Sequence, residues 1–335
     1  MKKSIRHIPA NATSTGRRTT LKALGGLLCV PFASGAYAQQ IQPIRFGLQN
    51  TFTGASAVVW ARQKIYEKRN LKVDAVKFAD GRGVRDALLA DRIDMGTMNL
   101  TPFLSGAAAG SFTLIGIVLL GGDTVGVMAR KGIDKISDLK GKNVSITVGS
   151  TTGAVFVEQV GPALGLPKGS YRLVNQQPQD QVTGLASGSV DAFAGPEPFL
   201  TVAEEQNIGR VLVRFGKYDL LPTCMVAATS FVEKHPDTVV AFLRSWLDGV
   251  DYWQKNPKGV VDSLLGMYKE AGYTGLSPAM MEKMAGLPKV VPDITPEMIT
   301  YVKGQAEILR TAGQLKTMPN WDKSIRTDFL AKART

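Results

Sequence analysis

Cysteine and histidine are nearly missing from this chain: its 335 residues hold two of each. Cys29 and His7 fall in the first 38 residues, which read as a segment removed on export, so the rest keeps one thiol, Cys224, and one imidazole, His235. A lone thiol excludes an intrachain disulfide, and one imidazole supplies no His/Cys metal cluster. Cys224 reads as a small buried residue rather than a nucleophile. His235, between Lys234 and Pro236, reads as a structural lead-in to a helix. A hydrolase or transferase needs a nucleophile with a base beside it, and this chain offers no evident pair. Basic clusters interleaved with aromatics are also missing beyond the first 38 residues, which argues against nucleic-acid binding.

Acidic residues are absent from those first 38 positions. They carry Lys2, Lys3, Arg6, Arg17, Arg18 and Lys22, then an apolar run from Ala23 to Phe32, then Ala36-Tyr37-Ala38, the small-x-small form of an export cleavage site. The segment is expected to be a secretory signal peptide, and the chain a periplasmic one. Arg17-Arg18-Thr19-Thr20-Leu21-Lys22 resembles the twin-arginine export motif, with Thr20 where Phe is usual, so both the Tat and Sec routes stay open. Cleavage after Ala38 leaves 297 of 335 residues and removes six of the 40 basic ones against 28 acidic, which lowers the formal charge from +12 to +6. With 44% apolar residues, this length predicts two domains of ordinary size.

A long run without charge does occur, over residues 95–122, but Thr101-Pro102 and Gly110-Ser111 divide it. The pattern predicts a strand, a Pro-started helix and a second strand in a buried α/β core rather than a membrane span. Elsewhere strand, loop and helix alternate. Ile44, Phe46 and Leu48 mark a strand that ends in a polar loop, Gln49 to Gly54. Leu71 to Phe78 reads as the next, followed by Asp80-Gly81-Arg82-Gly83 at a helix start. Such alternation implies a parallel sheet covered on both faces.

Residues 138–199 are the most informative. Val144, Ile146 and Val148 alternate in a short strand, and Gly149 to Gly153 (GSTTG) open a helix. A helix that begins on Ser and Thr directly after a strand points free N–H groups and hydroxyls at the sheet edge, a perch for an anion or polar oxygen. That helix is expected to be interrupted at Gly161-Pro162. A strand near Tyr171 to Asn175 leads to Gln176-Gln177-Pro178-Gln179-Asp180 at another helix start, and Val211 to Phe215 forms the last strand of this region. Residues 132–139 read as the crossover into it, and Leu221-Pro222-Thr223 as the return.

Residues 87–103 and 184–199 echo each other: helix end, turn, Asp94 or Asp191, apolar strand, then a Pro-Phe pair. Two similar α/β domains facing one cleft explain the echo, with both aspartates as turn caps. After Asp237 the chain is helical, with Val239, Phe242, Leu243, Trp246, Val250 and Trp253 in one apolar stripe that reads as core packing. Asn256, Ser277 and Thr295, each before a Pro, read as N-caps.

DLKGKNV, GSTTGA, QPQDQVTGLASGSVDAF, PEP, ALLADRIDMG and FVEKHPDTVVAFLRSWLDGVDYWQKNP together resemble the periplasmic solute-binding proteins of ABC importers, of the nitrate/sulfonate/taurine and thiamine-pyrimidine-precursor type. The resemblance implies a type II periplasmic-binding-protein fold, two α/β lobes joined by a two-strand hinge. Residues 41–123 plus 222–335 would form lobe 1 and residues 124–221 lobe 2. It also implies a small polar or anionic organic ligand (sulfonate, taurine-like, nitrate-like or pyrimidine), delivery to a membrane permease with its cytoplasmic ATPase, and no enzymatic activity. The chain is expected to act as a monomer without cofactor. Where many sulfonate-type members carry an aromatic before Glu-Pro, this chain has Pro196, and the Cys-rich motif and catalytic His of the pyrimidine-synthesising branch are absent. A sensory protein that presents its solute to a receptor is the alternative.

Within that frame Ser150, Thr151 and Thr152 either meet the ligand from one lobe or only begin a helix. Gln49, Asn50 and Thr53 either meet it from the other or satisfy loop backbone, and Asn99 and Thr101 occupy the equivalent place there, with Thr101 reading also as the N-cap before Pro102. Arg82 either pairs bidentately with a carboxylate or sulfonate or is a solvated surface residue. Glu197 would select a ligand amine. Gln177, like Gln179, either hydrogen-bonds the ligand or caps a helix.

Overall fold

Among the described residues ten strands pair into two sheets of five. The computed structural model describes residues 41–273 and 275–335, and the export segment expected over residues 1–38 lies outside them. Strands β1 (Ile44–Gln49), β2 (Val73–Phe78), β3 (Met95–Asn99), β4 (Phe112–Leu120) and β10 (Pro222–Ala228) form one sheet in the order β2-β1-β3-β10-β4. Strands β5 (Val125–Arg130), β6 (Asn143–Ile146), β7 (Arg172–Asn175), β8 (Ala192–Pro196) and β9 (Gly209–Arg214) form the other in the order β7-β6-β8-β5-β9. Each sheet has three parallel strands, then one antiparallel to both its neighbours. That fourth strand, β10 or β5, is the one that has just arrived from the other sheet.

The echo around Asp94 and Asp191 has a structural counterpart in this shared topology. Neither aspartate caps its own turn. Asp94 accepts the backbone N–H of Arg45 at the start of β1 (2.8 Å), and Asp191 accepts that of Asn143 at the start of β6 (2.9 Å). Each also pairs with an arginine, Arg45 or Arg130. The two carboxylates fasten equivalent neighbouring strands, so the local Asp-turn signal was correct about a constraint and wrong about its partner.

The crossings lie at the hinge. The chain enters the second sheet directly after Gly121 to Thr124, not at residues 132–139 as the charge pattern suggested, because β5 already pairs with β8 and β9. The two crossings hydrogen-bond to each other: the Gly121 and Gly122 N–H groups donate to the carbonyls of Leu221 (3.0 Å) and Leu220 (3.1 Å). Beside them the buried Asp219 accepts from Gln159 (3.0 Å), Gln305 (2.8 Å), the Leu221 N–H (2.8 Å) and the Tyr301 hydroxyl. Burial together with this carboxylate pushes the Tyr301 phenol far above its ordinary value, so it remains a donor.

Helices cover both sheets. Helices α1 (Ala55–Arg62), α2 (Gly81–Leu89) and α3 (Leu100–Ala108) follow β1, β2 and β3. In the second half α4 (Thr151–Val155) runs through a π-helical turn, Phe156–Val160, into α5 (Gly161–Ala163), and α6 (Pro178–Ala186) and α7 (Phe199–Glu205) follow β7 and β8. The expected break at Gly161-Pro162 is therefore absent. Pro162 removes an N–H and crowds the carbonyl four residues back, and the wider turn just before it accommodates the ring.

The helix Pro236–Lys255 buries its stripe at Val239, Phe242, Leu243, Trp246 and Val250 against α1, where Trp60 is the centrepiece. Trp60 lies edge-on to Phe46 (5.4 Å between centroids) and Phe242 (5.2 Å) and donates its indole N–H to Ser245 Oγ (2.9 Å). Gly249 permits this approach, since a Cβ there would stand 2.7 Å from the Trp60 ring. Aromatic burial of this kind stabilises by about 1.5–3 kcal/mol per side chain.

Among the expected caps, Ser277 and Thr295 accept from the N–H groups of Met280 and Met298, both at 3.2 Å. Asn256 does not cap; its amide donates backwards to the Tyr252 carbonyl. Cys224 is buried in β10, and burial alone pushes its thiol well above the ordinary value, so it is inert.

Candidate functional site

Strand ends from both sheets converge on one small cavity, within about 470 Å3 of empty space that includes open solvent. From the first lobe β1 ends in Gln49, and the turn after it supplies Thr51 and Thr53. The Thr51 and Thr53 hydroxyls lie 2.8 Å apart, and Thr53 also approaches Asn99 Oδ1 (3.4 Å). Asn99 donates its amide to Thr223 Oγ1 (3.1 Å), whose hydroxyl donates to the Thr53 carbonyl (2.6 Å). This closed network fixes the first wall. It depends on Thr223 of β10, a buried residue with no local site signal in the sequence.

Gln49 differs from its neighbours. It is 1% exposed, it lines the cavity, and neither atom of its amide group has a partner among the described residues. Gly81 makes room for it, because a Cβ there would come within 3.1 Å of Gln49 Oε1. An unpaired buried amide costs free energy unless something else completes its hydrogen bonds.

From the second lobe β6 leads through Thr147 to Ser150, Thr151 and Thr152. Ser150 is the N-cap: it donates to the Thr147 carbonyl (2.7 Å) and accepts the Gly153 N–H (3.1 Å), so its hydroxyl is engaged in the fold. Thr151 Oγ1 accepts the Thr101 N–H from the opposite lobe (2.9 Å). The backbone N–H groups of Thr151 and Thr152 open the helix and have no intrahelical acceptor. With the Thr152 side chain and the Gln49 amide they form a set of neutral donors contributed by both lobes.

Among the described residues the only charges on the cavity lining are Asp80 and Arg82, and they neutralise each other at 2.7 Å. Asp80 also caps α2 by accepting the N–H groups of Arg82 (2.9 Å) and Gly83 (3.2 Å). The Arg82 guanidinium is part-buried, and its N–H groups are engaged within the protein. Beyond Asp80 it donates across the cleft to the Val148 carbonyl (2.8 Å) and to Gln177 Oε1 (3.1 Å). Pro102, Pro178, Ala194 and Pro196 supply the apolar part, and no aromatic ring joins them.

Seven of the residues expected at the ligand therefore share this cavity: Gln49, Thr53, Arg82, Asn99, Ser150, Thr151 and Thr152. Four do not line it. Asn50 turns its amide oxygen into the protein, and its N–H donates to Phe78. Thr101 sits behind Thr151 and lines a neighbouring groove. Gln177 reaches the site only through Arg82. Glu197 is fully buried outside the cavity lining, with one carboxylate oxygen on Arg214 (2.7 Å) and the other on the Thr201 N–H (3.0 Å).

Two facing α/β lobes with a neutral, donor-lined cavity between them define a protein that holds a small solute. The chain belongs to the NMT1-like family, whose sequence model matches residues 38–260. A Bacillus subtilis protein named for aliphatic sulfonate binding is 32% identical over 232 residues, which cover 67% of this chain and 68% of that protein. The taurine-binding periplasmic protein of Escherichia coli is 28% identical over 203 residues, 56% of this chain and 62% of that one. Among solved structures, the alkanesulfonate-binding protein SsuA of Xanthomonas axonopodis pv. citri bound to MOPS superposes with a TM-score of 0.75 at 19% identity, over 85% of this chain and 98% of that one. The periplasmic nitrate-binding protein NrtA of Synechocystis PCC 6803 gives a TM-score of 0.69 at 13% identity, over 88% of each chain. These likenesses establish the periplasmic-binding-protein fold. No helix among the described residues is long and apolar enough to cross a membrane.

Proposed function

We propose that this chain is the extracytoplasmic solute-binding component of an ABC importer, and that it captures a small organic oxyanion between its lobes. Residues 41–123 plus 222–335 act as one lobe and residues 124–221 as the other. The unpaired, buried Gln49 amide carries this reading, because it faces the same cavity as the free N–H groups of Thr151 and Thr152 from the opposite lobe. A sulfonate, carboxylate or nitrate-like group placed there accepts from the Gln49 Nε2–H of one lobe and from the two backbone N–H groups of the other, and the Gln49 Oε1 is left to a donor elsewhere on the solute. Neutral dipoles and a helix N-terminus suffice to hold such a group, so the ion-paired Arg82 need not touch it.

Since each lobe supplies part of the hydrogen-bonding set, solute binds the closed arrangement more tightly than the open one and shifts the population toward it. The closed face then docks on a permease served by a cytoplasmic ATPase. No covalent step is involved, and the protein works as a periplasmic monomer after residues 1–38 are removed. The names of the sulfonate, taurine and nitrate relatives support the oxyanion class.

Native mass spectrometry of gently purified protein, followed by calorimetry with alkanesulfonates, taurine, nitrate, aromatic acids and pyrimidines, tests the proposal. One-to-one binding of an oxyanion with no turnover is expected. Conversion of a substrate, or binding confined to cations or uncharged bases, refutes it.

A further inference from the structure

A second, larger space lies on the far side of Arg82. It is an interlobe groove with about 1010 Å3 of empty space, open solvent included. Its lining is largely apolar, and it includes two large aliphatic side chains that the fold leaves open to solvent, Val148 at 50% and Leu173 at 46% exposure. Leu309 and Leu315 face them from the other lobe.

Two straps cross the cleft between cavity and groove. Arg82 lines the cavity, while Val148, whose carbonyl accepts its Nη1–H, and Gly149, which lies against its stem, both line the groove. The second strap is the Thr101 N–H on Thr151 Oγ1, with Thr151 on the cavity side and Thr101 on the groove side. Nε and Nη2 of Arg82 are held by Asp80, Nη2 also by Gln177 and Nη1 by Val148, so the guanidinium acts as a strap rather than as a ligand group.

We propose that Arg82 is a specificity-determining residue that limits ligand length. An oxyanion with a short tail fits wholly within the cavity and lets the strap close over it. A longer apolar tail reaches the groove only by displacing Arg82 from Val148 and Gln177, and it forfeits closure. This inference rests on the oxyanion reading of the cavity. Removal of the Arg82 side chain joins the two spaces, and the exposed aliphatic floor of the groove then becomes a seat for the tail.

Calorimetry with the n-alkanesulfonates from methane- to octanesulfonate tests the idea on wild type, Arg82→Ala and Arg82→Gln. The Gln variant keeps a donor for Asp80, and thermal unfolding establishes that each protein is folded. Wild type is expected to prefer short members and to lose at least tenfold in affinity by octanesulfonate. In both variants the octane-to-ethane affinity ratio is expected to rise at least tenfold, while the shortest members bind more weakly. Identical chain-length profiles in folded wild type and variants, including a uniform loss across the series, overturn the partition and leave the oxyanion site standing. Failure of wild type to bind any oxyanion overturns the underlying reading and this inference together.

Discussion

Replacement of Gln49 by Met should move stability and affinity in opposite directions. Met matches Gln in length and lacks a branch, which matters because Gly54 and Gly81 crowd the side chain so closely that a Cβ on Gly54 would stand 2.8 Å from Gln49 Cγ. The wild-type residue buries an amide with neither atom paired. Such a group costs about 1–3 kcal/mol, and an apolar replacement of similar shape recovers part of it. Ligand-free Gln49→Met is therefore expected to be more stable by about 1 kcal/mol, or about 2–4 °C in Tm. The same change removes every hydrogen bond the amide makes to a bound oxyanion, worth about 1–3 kcal/mol, so Kd should rise about 10- to 100-fold. Urea unfolding without ligand and calorimetry with the preferred ligand give the two numbers. A variant destabilised by more than about 1 kcal/mol, or one that binds as tightly as wild type, refutes the assignment of Gln49 as a binding group held unpaired for its ligand.

Gly249→Ala forces a methyl group against the Trp60 ring and should destabilise by about 1–3 kcal/mol without altering ligand affinity; a neutral effect in urea unfolding contradicts the packing described. At the start of the last helix the Arg326 side chain holds the Asp328 carboxyl down at about 2, helped by Lys332 and opposed by burial. A lowered carboxylate adds stability above its unfolded value near 4 and loses it as pH falls toward 2. Asp328 is 40% exposed, so screening limits the contribution to below about 1 kcal/mol. Asp328→Asn should accordingly be slightly less stable than wild type at pH 7, with the difference vanishing between about pH 4 and pH 2 in acid titrations of stability; a constant difference contradicts it.

What was legible in the sequence is whatever a single strand end or helix start determines. Gln49 terminates an alternating strand, and Ser150 to Thr152 follow one, so the pattern alone placed them at a sheet edge. Their division of labour was not legible. Ser150 caps while Thr151 braces the opposite lobe, and the difference depends on Thr101, fifty positions away. Thr223 was invisible for the same reason: it joins the first wall only because β10 returns antiparallel beside β3.

Glu197 misled because its loop does open toward the cleft side of the sheet. Its carboxylate turns instead toward Arg214 on β9, a partner set by strand order rather than by local pattern. Arg82 was recognised as a helix-start guanidinium near the cleft. Its strap across to Val148 and Gln177 requires knowing how the two lobes meet. Chain order fixes which residues border a cavity more readily than it fixes which of their atoms remain free.

That distinction matters for how the proposed oxyanion would be held. With Asp80 and Arg82 mutually neutralised, the cavity presents amide and hydroxyl dipoles instead of a net charge, which favours selection by shape and hydrogen-bond count over attraction of any anion.

The most direct measurement is an NMR titration that follows the Gln49 side-chain amide together with the backbone N–H groups of Thr151 and Thr152. On addition of the oxyanion that calorimetry identifies, all three sites, from both lobes, are expected to shift in parallel and saturate at one equivalent with a common Kd. Saturable binding that moves the signals of one lobe only, or of neither, contradicts a solute held jointly between them.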